Sequence, residues 1–399
     1  MKTKIIDFYK KYEYLLYALL FLVIAFLLRI SWLNFASHDY KGALSVWYNE
    51  IKALGGWKGI SSTIGDYPVI YKYLIALMTY LPMESTTAFK FVSCIFDVIL
   101  AIYVGLCIFH VKKDQLLALA GYVAVLFLPN VWINSAVWAQ CDAIFTCFCV
   151  MRFYYLLKKD DAKAVVFFTI AFAFKIQAIF FLPVLVILLF KGELKPKALL
   201  YAPLTYIICV LPAIITGMDW KYALAGAYLK QIDSNRPITN YTANIYIFFP
   251  DGFFQKNLIK QFILMCVGFF GILGLFFWKK SGKKTSNELL ICMAYFFSLV
   301  VPYFLPRMHE RYYFTADIFA IIFGLCFLKK IHISFLTIVP SFLGLIYVLF
   351  GLVLCGGKTD NINLQFNSFL IGTGIILLAY FIMDILKREE NELKNDIAE

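Results

Sequence analysis

The feature that most constrains this chain is a recurrence: apolar runs of about 20 residues, separated by short basic clusters. As helices, runs of that length match the hydrocarbon thickness of a bilayer, ~30 Å at 1.5 Å per residue. At that depth no water serves the backbone amides, so each run has to satisfy them internally as a helix. Composition agrees, because 62% of the 399 residues are hydrophobic and only 16% are charged. A soluble domain carries roughly a quarter charged residues. The expected class is therefore all-α, a polytopic membrane protein. Twelve spans are expected, over 13–33, 89–109, 115–132, 137–157, 163–177, 179–191, 197–216, 258–278, 286–305, 311–328, 332–354 and 364–386. The fifth and sixth are short for a crossing, which suggests a tilt or a break near Pro183.

The net charge of +12 does not point to nucleic acid, because the positive residues lie in clusters between spans. Lys10/Lys11, Lys112/Lys113, Lys158/Lys159/Lys163, Lys191/Lys195/Lys197, Lys279/Lys280, Lys329/Lys330 and Lys387/Arg388 all fall on one side of the expected topology. The positive-inside rule makes that side cytoplasmic, together with both termini. The loops 34–88 and 217–257 then face outward. Within the first, YPVIYKYLIALMTYLP reads as a juxtamembrane helix lying in the interface, since a thirteenth span would reverse the later clusters. The first apolar run lacks a small-residue cleavage site and is expected to stay as a helix. Residues 1–216 are expected to form one membrane module carrying the first external loop. Residues 217–399 would form a more variable one, with the loop 217–257 and a cytoplasmic tail. The ten cysteines show no CxxC and read as small apolar fillers.

Ionisable groups near membrane depth are costly and mark function by default. Here they gather at the outer ends of spans. Asp39 follows span one beside His38, Asp66 and Tyr67 precede the interfacial helix, and Gln140 and Asp142 open span four. Lys175 and Gln177 close span five, while Arg307, His309, Glu310 and Arg311 open span ten. Each has a plain alternative. A lone loop aspartate is usually only solvated, and Arg307 and Arg311 could be anchors. Yet outside arginines run against the inside rule, and their i, i+4 spacing on a helix start would suit a phosphate. Lys175 either pairs with Asp142 across helices or reaches that phosphate. Asp142 and Gln140 fit helix packing as well as substrate contact. Asp97 and Arg152 are candidates for an interhelical pair, and Asp317 reads as structural.

A carboxylate can take a proton from an acceptor hydroxyl, and opposing cations can stabilise a phosphate leaving group. Those roles describe glycosyl transfer from a lipid-phosphate sugar, with inversion if one carboxylate acts as base. The first loop has no DxD and no Gly-rich phosphate loop occurs, so neither a metal nor another cofactor is expected.

The stretches HDYKGALSVWYNEIKALGG, GDYPVIYKYLIALMTYLP, WAQCDAIF, FAFKIQAIFFLP and LPRMHERYYF, in this order, carry a resemblance. The chain resembles GT-C class polytopic glycosyltransferases, most closely bacterial relatives of the GPI-anchor mannosyltransferases, over roughly residues 10 to 325. The resemblance implies a catalytic acid in the first external loop, here Asp39, and a polyprenyl-phosphate sugar donor. It also implies an inverting reaction and a bacterial plasma membrane. By it, His309–Arg311 lies near the donor phosphate and Gln140 and Asp142 belong to the outer start of span four; the substrate contacts expected from the sequence are Asp66, Tyr67, Gln140, Asp142 and Glu310. His38 stands where some members have a second acid. Sugar and acceptor (glycan, lipid or protein) are not implied. Two rivals remain at this point. A transporter or lipid flippase would favour repeats or helices broken at the midplane, which the sequence lacks. A polysaccharide polymerase or ligase would set cations in a large later loop, where 217–257 offers Lys221, Lys230 and Arg236.

Overall fold

A computed structural model describes residues 2–233, 237–249, 258–280, 284–351 and 360–398. The chain is almost wholly helical. Its helices are α1 (Lys2–Ile30), α2 (Ser45–Ala53), α3 (Val69–Met78), α4 (Ser85–Lys112), α5 (Gln115–Phe127), α6 (Pro129–Trp132), α7 (Asp142–Leu157) and α8 (Asp161–Phe174). They continue as α9 (Leu182–Phe190), α10 (Tyr201–Ile215), α11 (Ala227–Asp233), α12 (Leu258–Lys280), α13 (Asn287–Phe304), α14 (Phe314–Cys326), α15 (Ile331–Phe350) and α16 (Asp360–Ala398). Two short strands, β1 (Thr239–Asn240) and β2 (Met308–His309), pair in parallel.

The expectation of about twelve spans is supported in part. Among the described residues seven helices are long and apolar enough to cross a bilayer. An eighth span is possible if Gln115–Phe127 and Pro129–Val137, bent by 45°, count as one. The bend has a local cause: Leu128 is extended ahead of Pro129, which cannot continue the amide ladder. The other expected spans are real helices but short. α7 has 16 residues, α8 has 14, α9 has 9 and α14 has 13. Even the longest, α7, is only ~24 Å at 1.5 Å per residue. Hydropathy counts apolar residues and does not see where the backbone leaves the helix. Here it leaves at Ala139, in the left-handed region at φ +63°, at the extended Lys175, and at Arg307, φ +65°.

The basic turns close one end of the bundle together. Asp114, Asp160 and Ser286 each cap the helix that follows by accepting from its free amides. Glu193 joins two of the turns, accepting from the Thr285 amide at 2.7 Å and lying 3.5 Å from Lys159. Between the ends, α13 and α14 are buried on nearly all sides, whereas α12 leaves Leu264, Met265, Ile272 and Leu275 exposed, as a lipid-facing helix would. Two of the buried acids are paired across helices. Arg29 pairs with Asp97 at 3.0 Å, and Asp317 accepts from Asn130 and Ser341 at 2.6 and 2.7 Å. The expected Asp97–Arg152 pair is absent. Arg152 sits instead between the rings of Phe181 and Phe168, 4.6 and 5.9 Å from their centroids. The nine described cysteines are all free thiols.

Candidate active site

At the end opposite the basic turns, the backbone fixes Asp39 from both sides. α1 ends at Ile30, and the buried Lys90 ammonium holds the chain beyond it, donating to the carbonyls of Trp32 and Leu33 at 2.6 and 3.3 Å. Ser37 donates to the Trp138 carbonyl at 3.0 Å and accepts from the Tyr40 amide at 3.2 Å. Asp39 then stands at the start of a short π-helical turn, Tyr40–Leu44. Facing it, a second π-helical turn over Ile133–Val137 runs into the left-handed Ala139. That geometry turns Trp138 and Gln140 toward one carboxylate oxygen. Asp39 Oδ2 accepts from Trp138 Nε1 at 3.1 Å, Gln140 Nε2 at 2.9 Å and Arg311 Nη1 at 3.1 Å. Among the described residues Oδ1 has no donor. The side chain is 42% exposed and lines a cavity of about 820 Å³. One oxygen is held by three N–H groups, and the carboxylate remains open to the cavity.

Behind Asp39 lies a buried charged cluster. Lys175 is bonded to Asp142 Oδ1, and Asn134 donates to Oδ2 at 2.9 Å. Arg311 spans the two acids, with Nε 3.8 Å from Asp142, and it also lies 3.7 Å from Glu310. Its guanidinium stands 5.5 Å from the Trp138 ring centroid. Lys175 therefore pairs with Asp142 across helices while lining the cavity. Tyr67 stands 5.5 Å from its ammonium and packs on Trp47 at 5.2 Å. Enclosure in this wall pushes the Tyr67 phenol above its ordinary pKa, and the Lys175 charge offsets only part of that rise.

The cavity gathers His38, Asp66, Gln177, His309 and Glu310 as well, so every expected site residue except Arg307 and the buried Asp142 lines it. Asp66 is placed by its backbone, whose carbonyl accepts from Gln231 at 2.7 Å. Arg307 and Arg311 do not share a helix face as their spacing suggests. α13 ends at Phe304, the chain turns through Pro306 and the left-handed Arg307, forms β2, and becomes helical again only at Glu310, in a 3-10 turn over Glu310–Tyr313 that leads into α14. Arg307 instead lines a second cavity, an apolar groove of about 730 Å³ between α9, α12 and α13. The groove reaches Phe190 and Trp278 near the basic turns, and it shares Gln177, Gln231 and Tyr312 with the polar cavity. Of the later-loop cations, Lys221 lies against Trp220 and Lys230 donates to the Thr63 carbonyl at 3.0 Å; Arg236 is outside the described residues.

A model of glycosyltransferase family 87 matches residues 66–302, well over half of the chain. The chain belongs to that family. Comparison with curated proteins gives no match. A family-87 enzyme with this helical architecture fits the GT-C-like polytopic glycosyltransferases, so transfer of a sugar within a membrane is its activity. The matched region of this family-87 chain includes Asp66, Tyr67, Gln140, Asp142 and Lys175. Asp39 and the Arg307–Arg311 segment lie outside it.

Sequence reasoning passed over several residues that build the site. Trp138 donates to Asp39 and carries Arg311 on its ring, Asn134 holds Asp142, and Gln231 touches both cavities. The available signal was proximity: WAQCD places Trp138 two residues from Gln140, and Gln231 lies in the long loop 217–257.

Proposed function

We propose that this glycosyltransferase moves a sugar from a polyprenyl-phosphate donor to an acceptor hydroxyl, with inversion and with Asp39 as general base. The observation that carries the reading is the Asp39 carboxylate, fixed through Oδ2 by three donors and open to a cavity that joins an apolar groove. The acceptor O–H proton passes to Asp39, the acceptor oxygen attacks the anomeric carbon, and the bond to phosphate breaks. The electron pair leaves with the polyprenyl phosphate. The prenyl tail lies in the groove. Arg307 at the groove's outer end, with Arg311 and His309 beyond it, stabilises the leaving phosphate. Lys175 is committed to Asp142, so we assign it to holding the site. Asp66, Tyr67 and Glu310 face the sugar.

A retaining route would need a second carboxylate free to act as nucleophile. Asp142 is already engaged at both oxygens. The groups around Asp39 are N–H donors and a guanidinium, a set that does not suit a divalent cation. The reaction is therefore proposed to be metal-independent. The basic turns opposite the site are proposed to face the cytoplasm, which puts the chemistry on the outer side of the plasma membrane.

The test is Asp39→Asn, assayed for transfer from short-chain polyprenyl-phosphate sugars with a chelator present. A general base contributes about 10²–10⁴-fold, and a loss of that size is expected with normal insertion and folding. Activity within tenfold of wild type would remove Asp39 from this role.

A further inference from the structure

The polar cavity has two ends. One shares Gln177, Gln231 and Tyr312 with the apolar groove. The other is lined by Asn240, Tyr241, Tyr347 and Gly351, none of which touches the groove. A donor whose tail fills the groove occupies the first end and leaves the second for the acceptor.

Tyr241 is built into that second end in an unusual way. Its backbone is left-handed at φ +54°, a conformation that costs a residue with a side chain of order 1 kcal/mol or more. The surrounding bonds impose it. Thr239 and Asn240 pair with Met308 and His309, Thr242 Oγ1 donates to the Met308 carbonyl at 2.6 Å, and Asn240 Nδ2 meets His309 Nδ1 at 2.9 Å. The result is a rigid strap joining the later external loop to the segment that carries His309 and Arg311. The ring it presents is not core, since Tyr241 is 51% exposed. Its aromatic neighbour is Tyr347 of α15, at 5.8 Å between centroids and 55° between planes. Two tilted phenol rings at the mouth of a polar cavity offer apolar faces with polar tips, which suits the C–H face and the hydroxyl rim of a pyranose. A purely lipid or peptide acceptor would not need this pairing.

We infer that Tyr241 and Tyr347 form an acceptor subsite that stacks a sugar ring, so that the acceptor is a glycan or glycolipid presenting its hydroxyl to Asp39. This rests on the donor and base assignments proposed above. Tyr241 is then a residue of acceptor specificity and has no part in bond breaking.

The experiment uses the full-length enzyme, a short-chain polyprenyl-phosphate sugar, and a panel of octyl hexosides as acceptors, with octanol as the sugar-free control. Wild type is expected to transfer to at least one octyl hexoside and not to octanol. Tyr241→Ala should raise that acceptor's KM by about tenfold, the scale of an aromatic contact of ~1.4 kcal/mol, with the donor KM within twofold. Tyr241→Phe, which keeps the ring, should restore the wild-type acceptor KM. An equal rise in both KM values, no change in Tyr241→Ala, or transfer to octanol as good as to the hexosides overturns the subsite. So does a wild type that hydrolyses the donor yet glycosylates none of the panel. A wild type that does not consume the donor at all overturns the polyprenyl reading itself, and this inference with it.

Discussion

Asp142→Asn separates two jobs that the Lys175 ammonium can hold, scaffold or donor phosphate. Both side chains are nearly fully buried, at 4% and 1% exposure. Lys175 sits on one oxygen of Asp142, Asn134 donates to the other at 2.9 Å, and Arg311 Nε lies 3.8 Å away. Removing one member of a buried ion pair strands the other charge and costs about 3–5 kcal/mol, whereas replacing the whole pair by neutral groups is often close to neutral. Asp142→Asn and Lys175→Met should therefore each lose ~3–5 kcal/mol of unfolding free energy, measured by SDS titration in mixed micelles. The double variant should lose at least ~2 kcal/mol less than the sum. If Lys175 belongs to the scaffold, the double variant also keeps a donor KM near that of wild type. Additive losses would refute the pair as a unit. Recovered stability with a donor KM still raised tenfold or more would refute the scaffold assignment and return Lys175 to the phosphate.

Three further outcomes are expected. Gly271 and Gly274 line the apolar groove with nothing within 4 Å of an added Cβ. Gly271→Leu should therefore weaken long-chain donors about tenfold and spare short-chain ones; an unaltered chain-length profile would argue that the tail lies elsewhere. Gln140→Ala removes one of three donors to a charged oxygen, a bond of ~1.5–3 kcal/mol, and should lower kcat by ~10- to 150-fold without changing the melting point. A fall of less than threefold would show that Trp138 and Arg311 suffice. Lys72 in α3 has its pKa lowered to about 8, first by burial and second by Lys230. Its proton is held less tightly in the fold than in the unfolded chain, at 10.5. Stability should therefore rise between about pH 8 and 10.5 by ~3 kcal/mol. Lys72→Met should flatten that rise, and a flat wild-type profile would contradict it.

Much of this site was legible because membrane chains spend polar residues sparingly. The apolar runs and basic turns located the helices, and the leftovers (Asp39, Asp66, Gln140, Lys175, His309, Glu310, Arg311) do line one cavity, with Asp142 buried behind it. What stayed hidden depends on backbone turns that no residue type announces. Ala139 and Arg307 are left-handed without being glycine. The first aims Trp138 and Gln140 at Asp39, and the second parts Arg307 from Arg311. Spacing arguments assume that a helix continues, and at both places it does not. Partners distant in sequence were equally opaque. Asp97 faces Arg29, 68 residues earlier, and the only described ring neighbours of the Arg152 guanidinium are phenylalanines. Span lengths were opaque for a related reason: α7, α8, α9 and α14 look apolar enough and stop early.

That early stopping has an energetic consequence. On the topology proposed above, with helices of 13 to 16 residues around the site, the reaction plane is expected to lie ~6–10 Å below the outer edge of a ~30 Å hydrocarbon layer. The phosphate of the proposed lipid donor rests at the headgroup plane, so in a sunken site it gives up hydration that Arg311 and the N–H donors around Asp39 have to replace.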